Sequence, residues 1–338
     1  MARMRRLKGR MAMEYRVAAI DLGTVSSRLA MATVEDGVIT ALDKRTVITD
    51  LGEGVDATGR FNERAVERVL EACRGFVTLI GAFGPAGTCT TLTSAARDAS
   101  NAEVLLAGLR DLGLAPQVIP GEVEARLTFF GVAHDFPAQR IAVADSGGGS
   151  TELACGLFMP GDPLMLDEVR SLDIGCRRVT ERFLRDVPPT APELEEAAAF
   201  AEETLAPYWV RLRELGAAPE RLVAVGGTVT TLVALVHRLA SYDSRFVHLH
   251  DLSIDEVQAA IDEMAPLMTA QIAELPGVQP KRAPVILAGA VVIRGLMRAS
   301  GFDTLTVSEN SLLAGMAATM FETLAGDPAT IGWTPELS

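Results

Sequence analysis

The strongest constraint on the fold is a pattern that the chain uses twice. Tyr15 to Met31 reads as a strand, a turn at Asp21-Leu22-Gly23-Thr24 and a second strand: apolar, then small and hydroxylated, then apolar. Ile141 to Leu157 repeats the scheme around Asp145-Ser146-Gly147-Gly148-Gly149-Ser150, with Asp145 standing where Asp21 stood. A chain that opens the same way twice implies two lobes of like construction facing each other across a cleft. Its 338 residues fit two domains, taking roughly 150 residues for each. With 49% apolar and 22% charged residues there is material for two packed cores. The expected limits are a disordered extension over 1–13, a first lobe over 14–136 and a second over 137–338.

Strands and helices alternate along the rest of the chain, which makes each lobe α/β. Glu35-Asp36-Gly37 supplies a hairpin turn. Between Asn62 and Gly81, Ala65, Val66, Val69, Leu70 and Cys73 recur at helical spacing. A strand is predicted near Ala86 to Leu92, then a helix from Ser94, another ending near Gly113, and a short strand over Ala115 to Ile119. The helix over Glu122 to Val132 opens on an acidic turn, as the helix dipole favours. Further on, Thr190 caps a long helix after a proline cluster. Val223 to Val236 reads as strand, turn and helix, and Ala283 to Met297 as a buried helix. Thr304 to Val307 is a last strand before a closing helix over Ser311 to Leu324. The acid-rich stretch Asp251 to Glu274 reads as a solvated pair of amphipathic helices.

Four small-residue turns follow predicted strands: the two around Asp21 and Asp145, Thr93-Ser94, and Gly226-Gly227-Thr228. Glycine lets backbone N–H groups turn toward an anion, and a helix start adds a positive dipole end. One such turn is ordinarily a hairpin; four together point to phosphate. The candidate contacts are Gly23, Thr24, Ser26, Ser94, Gly147, Gly148, Gly149, Ser150, Gly227 and Thr228. Asp21 and Asp145, at strand ends beside such turns, can hold Mg²⁺ or Mn²⁺ directly or through water; the alternative is that they cap their turns. Arg97, one turn into the helix from Ser94, can reach an anion bound there, or form a surface ion pair. Gly121-Glu122-Val123-Glu124-Ala125-Arg126 places two acids in a first helical turn, where one can orient and deprotonate a water that attacks phosphorus.

In this order the motifs resemble the exopolyphosphatase and guanosine pentaphosphate phosphohydrolase family, a branch of the sugar kinase and actin superfamily. The matching segments are Ala19 to Thr24, Thr93 to Asn101, Gly121 to Arg126, Asp145 to Leu153, Ser171 to Phe183, Ala224 to Leu232, Ala283 to Ala290 and Val307 to Met316. The resemblance implies two ribonuclease H-like (actin-like ATPase) lobes. It also implies hydrolysis of the terminal phosphoanhydride of inorganic polyphosphate, with guanosine pentaphosphate as the alternative substrate, and a homodimer. It makes Glu124 the catalytic base and gives Arg97 a phosphate contact. Asp145, Gly147 and Glu152 then shape the phosphate and metal site of the second lobe, and Asp21, Gly23 and Thr24 that of the first. The sequence departs from the family at three places: Val25 stands where many relatives carry Asn, Val123 where many carry a second acid, and Leu313-Ala314 where Arg-Glu is usual. These departures motivate a rival reading as an alarmone-binding sensor; a kinase of the same superfamily is another. The chain is expected to be a short form without the additional helical domains of longer relatives, and short polyphosphate is then the expected preference.

The net charge of −13 argues against broad nucleic-acid binding. A polyanionic substrate must therefore be drawn in locally, by backbone N–H groups, arginines and a divalent cation. Cys73, Cys89, Cys155 and Cys176 form no C-x-x-C pair, which suggests neither zinc nor a disulfide framework and fits a reducing cytoplasm. The basic run Met1 to Arg10 is followed by no long apolar stretch and lacks the core of a secretory signal. The longest uncharged run, Leu222 to Val236, falls short of the roughly 20 apolar residues a spanning helix needs, so no membrane segment is predicted.

Overall fold

The computed structural model describes residues 13–159 and 164–338. The extension expected over 1–13 lies, apart from Met13, outside the described residues. Five strands form the first sheet: β1 (Glu14–Leu22), β2 (Ser26–Glu35), β3 (Val38–Ile48), β4 (Thr88–Leu92) and β5 (Pro116–Val118), in the order β3-β2-β1-β4-β5. β1 is antiparallel to β2 and parallel to β4, and β4 is parallel to β5. The second sheet holds β6 (Arg140–Ser146), β7 (Thr151–Leu157), β8 (Met165–Leu172), β9 (Arg221–Val225), β10 (His250–Ser253) and β11 (Thr304–Val307), in the order β10-β11-β9-β6-β7-β8. β9 is parallel to both β6 and β11. Without its edge strand β10, this sheet has the strand order of the first. The repeat read from two turns therefore extends through both sheets.

Helices cover the sheets. α1 (Glu63–Phe83) starts where the Asn62 side chain accepts from Ala65 N at 2.7 Å and stops at Gly84, whose φ of 64° a residue with a Cβ adopts at a cost. α2 (Ser94–Asp98), α3 (Ala102–Asp111) and α4 (Gly121–Ala133) complete the first half. α5 (Cys176–Phe183), α6 (Ala191–Glu214), α7 (Gly227–Val236), α8 (Ile254–Met264), α9 (Ala283–Ser300) and α10 (Leu312–Ala325) follow. α6 opens on a capping box in which the Glu193 carboxylate accepts from Thr190 N at 2.8 Å. α9 is apolar and buried along most of its length, and Gly295 brings it close to Ala201 of α6. The segment Pro280–Ser300 has the length and composition of a membrane span, with a mean hydropathy of 1.5, but 72% of it is buried inside the protein. All four cysteines are buried and unbridged.

Internal contacts divide the chain into two compact units. The first runs up to Gln139 and also holds Gly156–Leu166 and Ser311–Ser338; the second holds Arg140–Cys155 and Asp167–Asn310. The sequence reading carried the second lobe to residue 338, whereas the last segment packs with the first unit. The reason is a close crossing of α4 and α10. A Cβ on Gly131 would lie 2.3 Å from Ser311 O, and one on Gly315 would lie 1.9 Å from Leu127 O. Beyond α10, Ser338 N donates to Thr88 O and accepts at its own carbonyl from Thr88 N, both at 2.9 Å, so it pairs with the first residue of β4.

Three further differences are local. The helix from Ser94 is a single turn of five residues, so little dipole builds up at its start. Asp251 lies on β10, paired with β11, and the first of the two helices predicted there begins only at Ile254, capped by Ser253. β8 and α5 were not read from the sequence.

Candidate active site

The two aspartate turns are the same turn. Gly23 N donates to Ser26 O at 2.9 Å, and Gly147 N donates to Ser150 O at 3.0 Å. Each ends the central strand of its sheet, beside a parallel strand whose own end carries a second small-residue turn. Asp21 pairs in register with Thr91 of β4, just before Thr93-Ser94; Asp145 pairs with Val225 of β9, just before Gly226-Gly227-Thr228. The carboxyl ends of parallel strands are where open α/β sheets place ligands.

In the first unit, Asp21 is fully buried. Its Oδ2 accepts from Arg28 Nε at 2.8 Å and Nη2 at 2.5 Å, while its Oδ1 is buried with no hydrogen-bond partner. A buried carboxylate oxygen left unpaired is costly, and a cation or its water would satisfy it. Thr24 is buried against Gly52 and accepts at its carbonyl from Gly52 N, and Ser26 begins β2. Arg97 donates from Nη1 to Ile119 O at 3.0 Å and to Glu124 Oε2 at 2.9 Å. The expected phosphate ligand and the expected base thus sit together, Glu124 buried in the first turn of α4 and Arg97 more exposed. The two departures at Val25 and Ala314 are packing residues. Val25 is buried and its carbonyl accepts from Thr49 N and Asp50 N, and Ala314 fills the crossing against Gly131.

In the second unit, Asp145 is buried. Gly226, with φ of 101°, leaves room for it: a Cβ there would lie 3.0 Å from Asp145 Oδ1. Glu152 on β7 is also buried, and its Oε1 accepts from Ser171 Oγ at 2.8 Å. Thr228 is buried against Gly289 of α9. Gly227 packs under the Arg282 guanidinium, where a Cβ would lie 2.0 Å from Nη1. Arg28, Arg282, Ser171 and Arg178 escaped the sequence reading; each belongs to an ordinary-looking charged or hydroxylated stretch, and only three-dimensional placement singles it out. Burial pushes the thiols of Cys73, Cys89 and Cys155 up to about 12, and that of Cys176 upward, so none offers a thiolate near neutral pH.

Two sheets of one strand order, each with an aspartate turn at the end of its central strand, define a duplicated α/β protein of the actin-like ATPase class. The chain belongs to the Ppx/GppA phosphatase family, whose model matches residues 30–324. Exopolyphosphatase 2 of Mycobacterium tuberculosis is 36% identical over 322 residues, covering 90% of this chain and 98% of that protein. The crystal structure of the Aquifex aeolicus Ppx/GppA family member has a TM-score of 0.75 at 32% identity and covers 94% of this chain and 100% of that one. An exopolyphosphatase from Cytophaga hutchinsonii shares the fold, with a TM-score of 0.81 at 23% identity over 94% of this chain and 100% of its own.

Proposed function

We propose that this chain is an exopolyphosphatase, which hydrolyses the terminal phosphoanhydride of inorganic polyphosphate and releases orthophosphate. The observation that carries the mechanism is the pairing of Glu124 with Arg97. Glu124 takes the proton from a water as its oxygen bonds to the terminal phosphorus; the bond from that phosphorus to the bridging oxygen breaks, and the shortened chain leaves with that oxygen. Arg97, held by the Ile119 carbonyl, keeps the carboxylate in one orientation, and its guanidinium is a proposed phosphate ligand. Gly23, Thr24, Ser26 and Ser94 in the first unit, and Gly147 to Ser150, Gly227 and Thr228 in the second, are the proposed phosphate contacts. The membership of the family and the likeness to the mycobacterial exopolyphosphatase support this reading.

Asp21 in the first unit, and Asp145 and Glu152 in the second, are each proposed as ligands for Mg²⁺ or Mn²⁺ within their own unit. The unpaired Asp21 Oδ1 fits this role, a single carboxylate oxygen offered to a cation. That is the donor set Mg²⁺ takes: one or two carboxylates, with waters and substrate phosphates completing the shell. When bound, the ion would neutralise the charge that builds on the phosphate oxygens.

The test is phosphate release by the purified chain with Mg²⁺ on short polyphosphate, long polyphosphate, guanosine pentaphosphate and ATP, alongside Glu124→Gln. Release from polyphosphate that drops by about 10²- to 10⁴-fold in Glu124→Gln is the expected result. Tight binding of guanosine phosphates with no release from any substrate would overturn it in favour of a sensor.

A further inference from the structure

The Gly147–Ser150 turn is anchored from one side by the start of α5. Cys176 N donates to Gly147 O at 3.0 Å, Arg177 N and Arg178 N to Gly148 O at 2.8 and 3.1 Å, and Arg178 Nε to Gly149 O at 2.7 Å. Three successive carbonyls are therefore tied toward α5. In a trans peptide the C=O of one residue and the N–H of the next point in opposite directions. Fixing the carbonyls of Gly147, Gly148 and Gly149 thus turns the N–H groups of Gly148, Gly149 and Ser150 away from α5. Among the described residues, the N–H groups of Gly148 and Gly149 donate to no acceptor. Buried backbone donors are seldom left so, and successive N–H groups aimed one way form an anion-binding concavity.

The backing is closely fitted. Gly175, the cap of α5, lies so near the turn that a Cβ would sit 2.5 Å from both Gly148 C and Gly148 O, and 2.7 Å from Gly147 O. Thr151 Oγ1 donates to Ile174 O at 2.7 Å, tying the start of β7 to the same entry. The matching turn in the first unit is held differently. There, among the described residues, the carbonyls of Thr24 and Val25 accept from the backbone N–H groups of Thr49, Asp50 and Gly52. In the second unit the last anchor is a side chain, and it is buried: Arg178 is 8% exposed.

We propose that Arg178 is a positioning residue, whose hold on the Gly149 carbonyl, with the first turn of α5, sets the Gly147–Ser150 backbone as the cradle for the substrate's terminal phosphates. This rests on the exopolyphosphatase reading. Arg178 touches the loop and acts through it, so its loss weakens phosphate binding more than it slows the chemical step.

The experiment compares Arg178→Met, Arg178→Lys and Gly175→Ala in the full chain, reading kcat and KM for polyphosphate, the inhibition constant of orthophosphate, and thermal unfolding. In Arg178→Met, KM and the orthophosphate constant are expected to rise together by about tenfold, the loss of one charge-assisted hydrogen bond, with a smaller fall in kcat. Arg178→Lys, which keeps a charged donor, recovers part of that loss, and Gly175→Ala, which pushes the same loop from behind, reproduces it. If Arg178→Met does not fold, the other two variants give the same comparison. Folded variants with the wild-type KM and orthophosphate constant, or a fall in kcat alone, would overturn the proposal while leaving the function intact. Glu124→Gln separates the two: it is expected to lose turnover and keep orthophosphate affinity. A wild-type chain that neither turns over polyphosphate nor binds orthophosphate would overturn both.

Discussion

Arg97 is held at two points 22 and 27 residues away along the chain, the Ile119 carbonyl and the Glu124 carboxylate. Removing it leaves the buried Glu124 without that partner, so Arg97→Met is expected to lower kcat by about 10- to 100-fold, less than Glu124→Gln does, in a steady-state assay of phosphate release. Asp21→Asn is expected to raise the Mg²⁺ concentration needed for half-maximal rate, because the unpaired Oδ1 is the oxygen proposed to meet the cation. A third effect lies away from the site. His250 and His237 meet Nε2 to Nε2 at 2.8 Å, and burial, with the neighbouring His237 charge second, holds His250 below the ordinary imidazole range against the opposing pull of Glu256 and Asp251. A lowered folded-state value means that stability is fully present above the unfolded imidazole value of about 6.5 and is lost as pH falls through it toward the folded value. The urea midpoint is therefore expected to fall as pH drops below about 6.5, and less so in His250→Asn. At this scale the sequence was informative about single residues and silent about pairs. Arg97 and Glu124 each stood in a recognisable motif, but nothing local says that they touch. Val25 and Ala314, which depart from the family pattern, are core residues in this chain, since burial is decided by the fold around them.

Elements were legible where period and caps agree. α1 and α6 each begin at a side-chain cap, and the parallel strands β1 and β6 are unbroken apolar runs over their inner halves. β8 and α5 were not legible: the strand mixes Asp, Glu and Arg with its apolar residues, and the helix is short and rich in arginine. Glycines inside helices divide by what lies opposite. Gly131→Ala or Gly315→Ala forces a methyl into the backbone of the facing helix and is expected to destabilise by about 1–3 kcal/mol. Gly75, in α1, has nothing within 4 Å of a built Cβ, so Gly75→Ala is expected to stabilise by about 0.5–1 kcal/mol. Denaturant midpoints for the three variants test both signs at once.

At the scale of the molecule, duplication was visible in two short turns and proved to cover the order of both sheets. The return of the last segment to the first unit was not visible, because the contact that commits it is a pair of helix faces kept bare by Gly131 and Gly315, far apart in sequence. A chain ending at Asn310 lacks α10, whose residues are buried from Leu312 through Glu322. It is expected to leave α4 and β1 with uncovered apolar surface, to lose cooperative unfolding by circular dichroism and to be cut rapidly by protease. The order of synthesis acquires a meaning from the same feature. Residues emerge from first to last, yet the first unit is finished only by the final stretch, while every residue of the second has already been made. The unit begun earliest is completed latest, and until it is complete it exposes on α4 the face that α10 will cover.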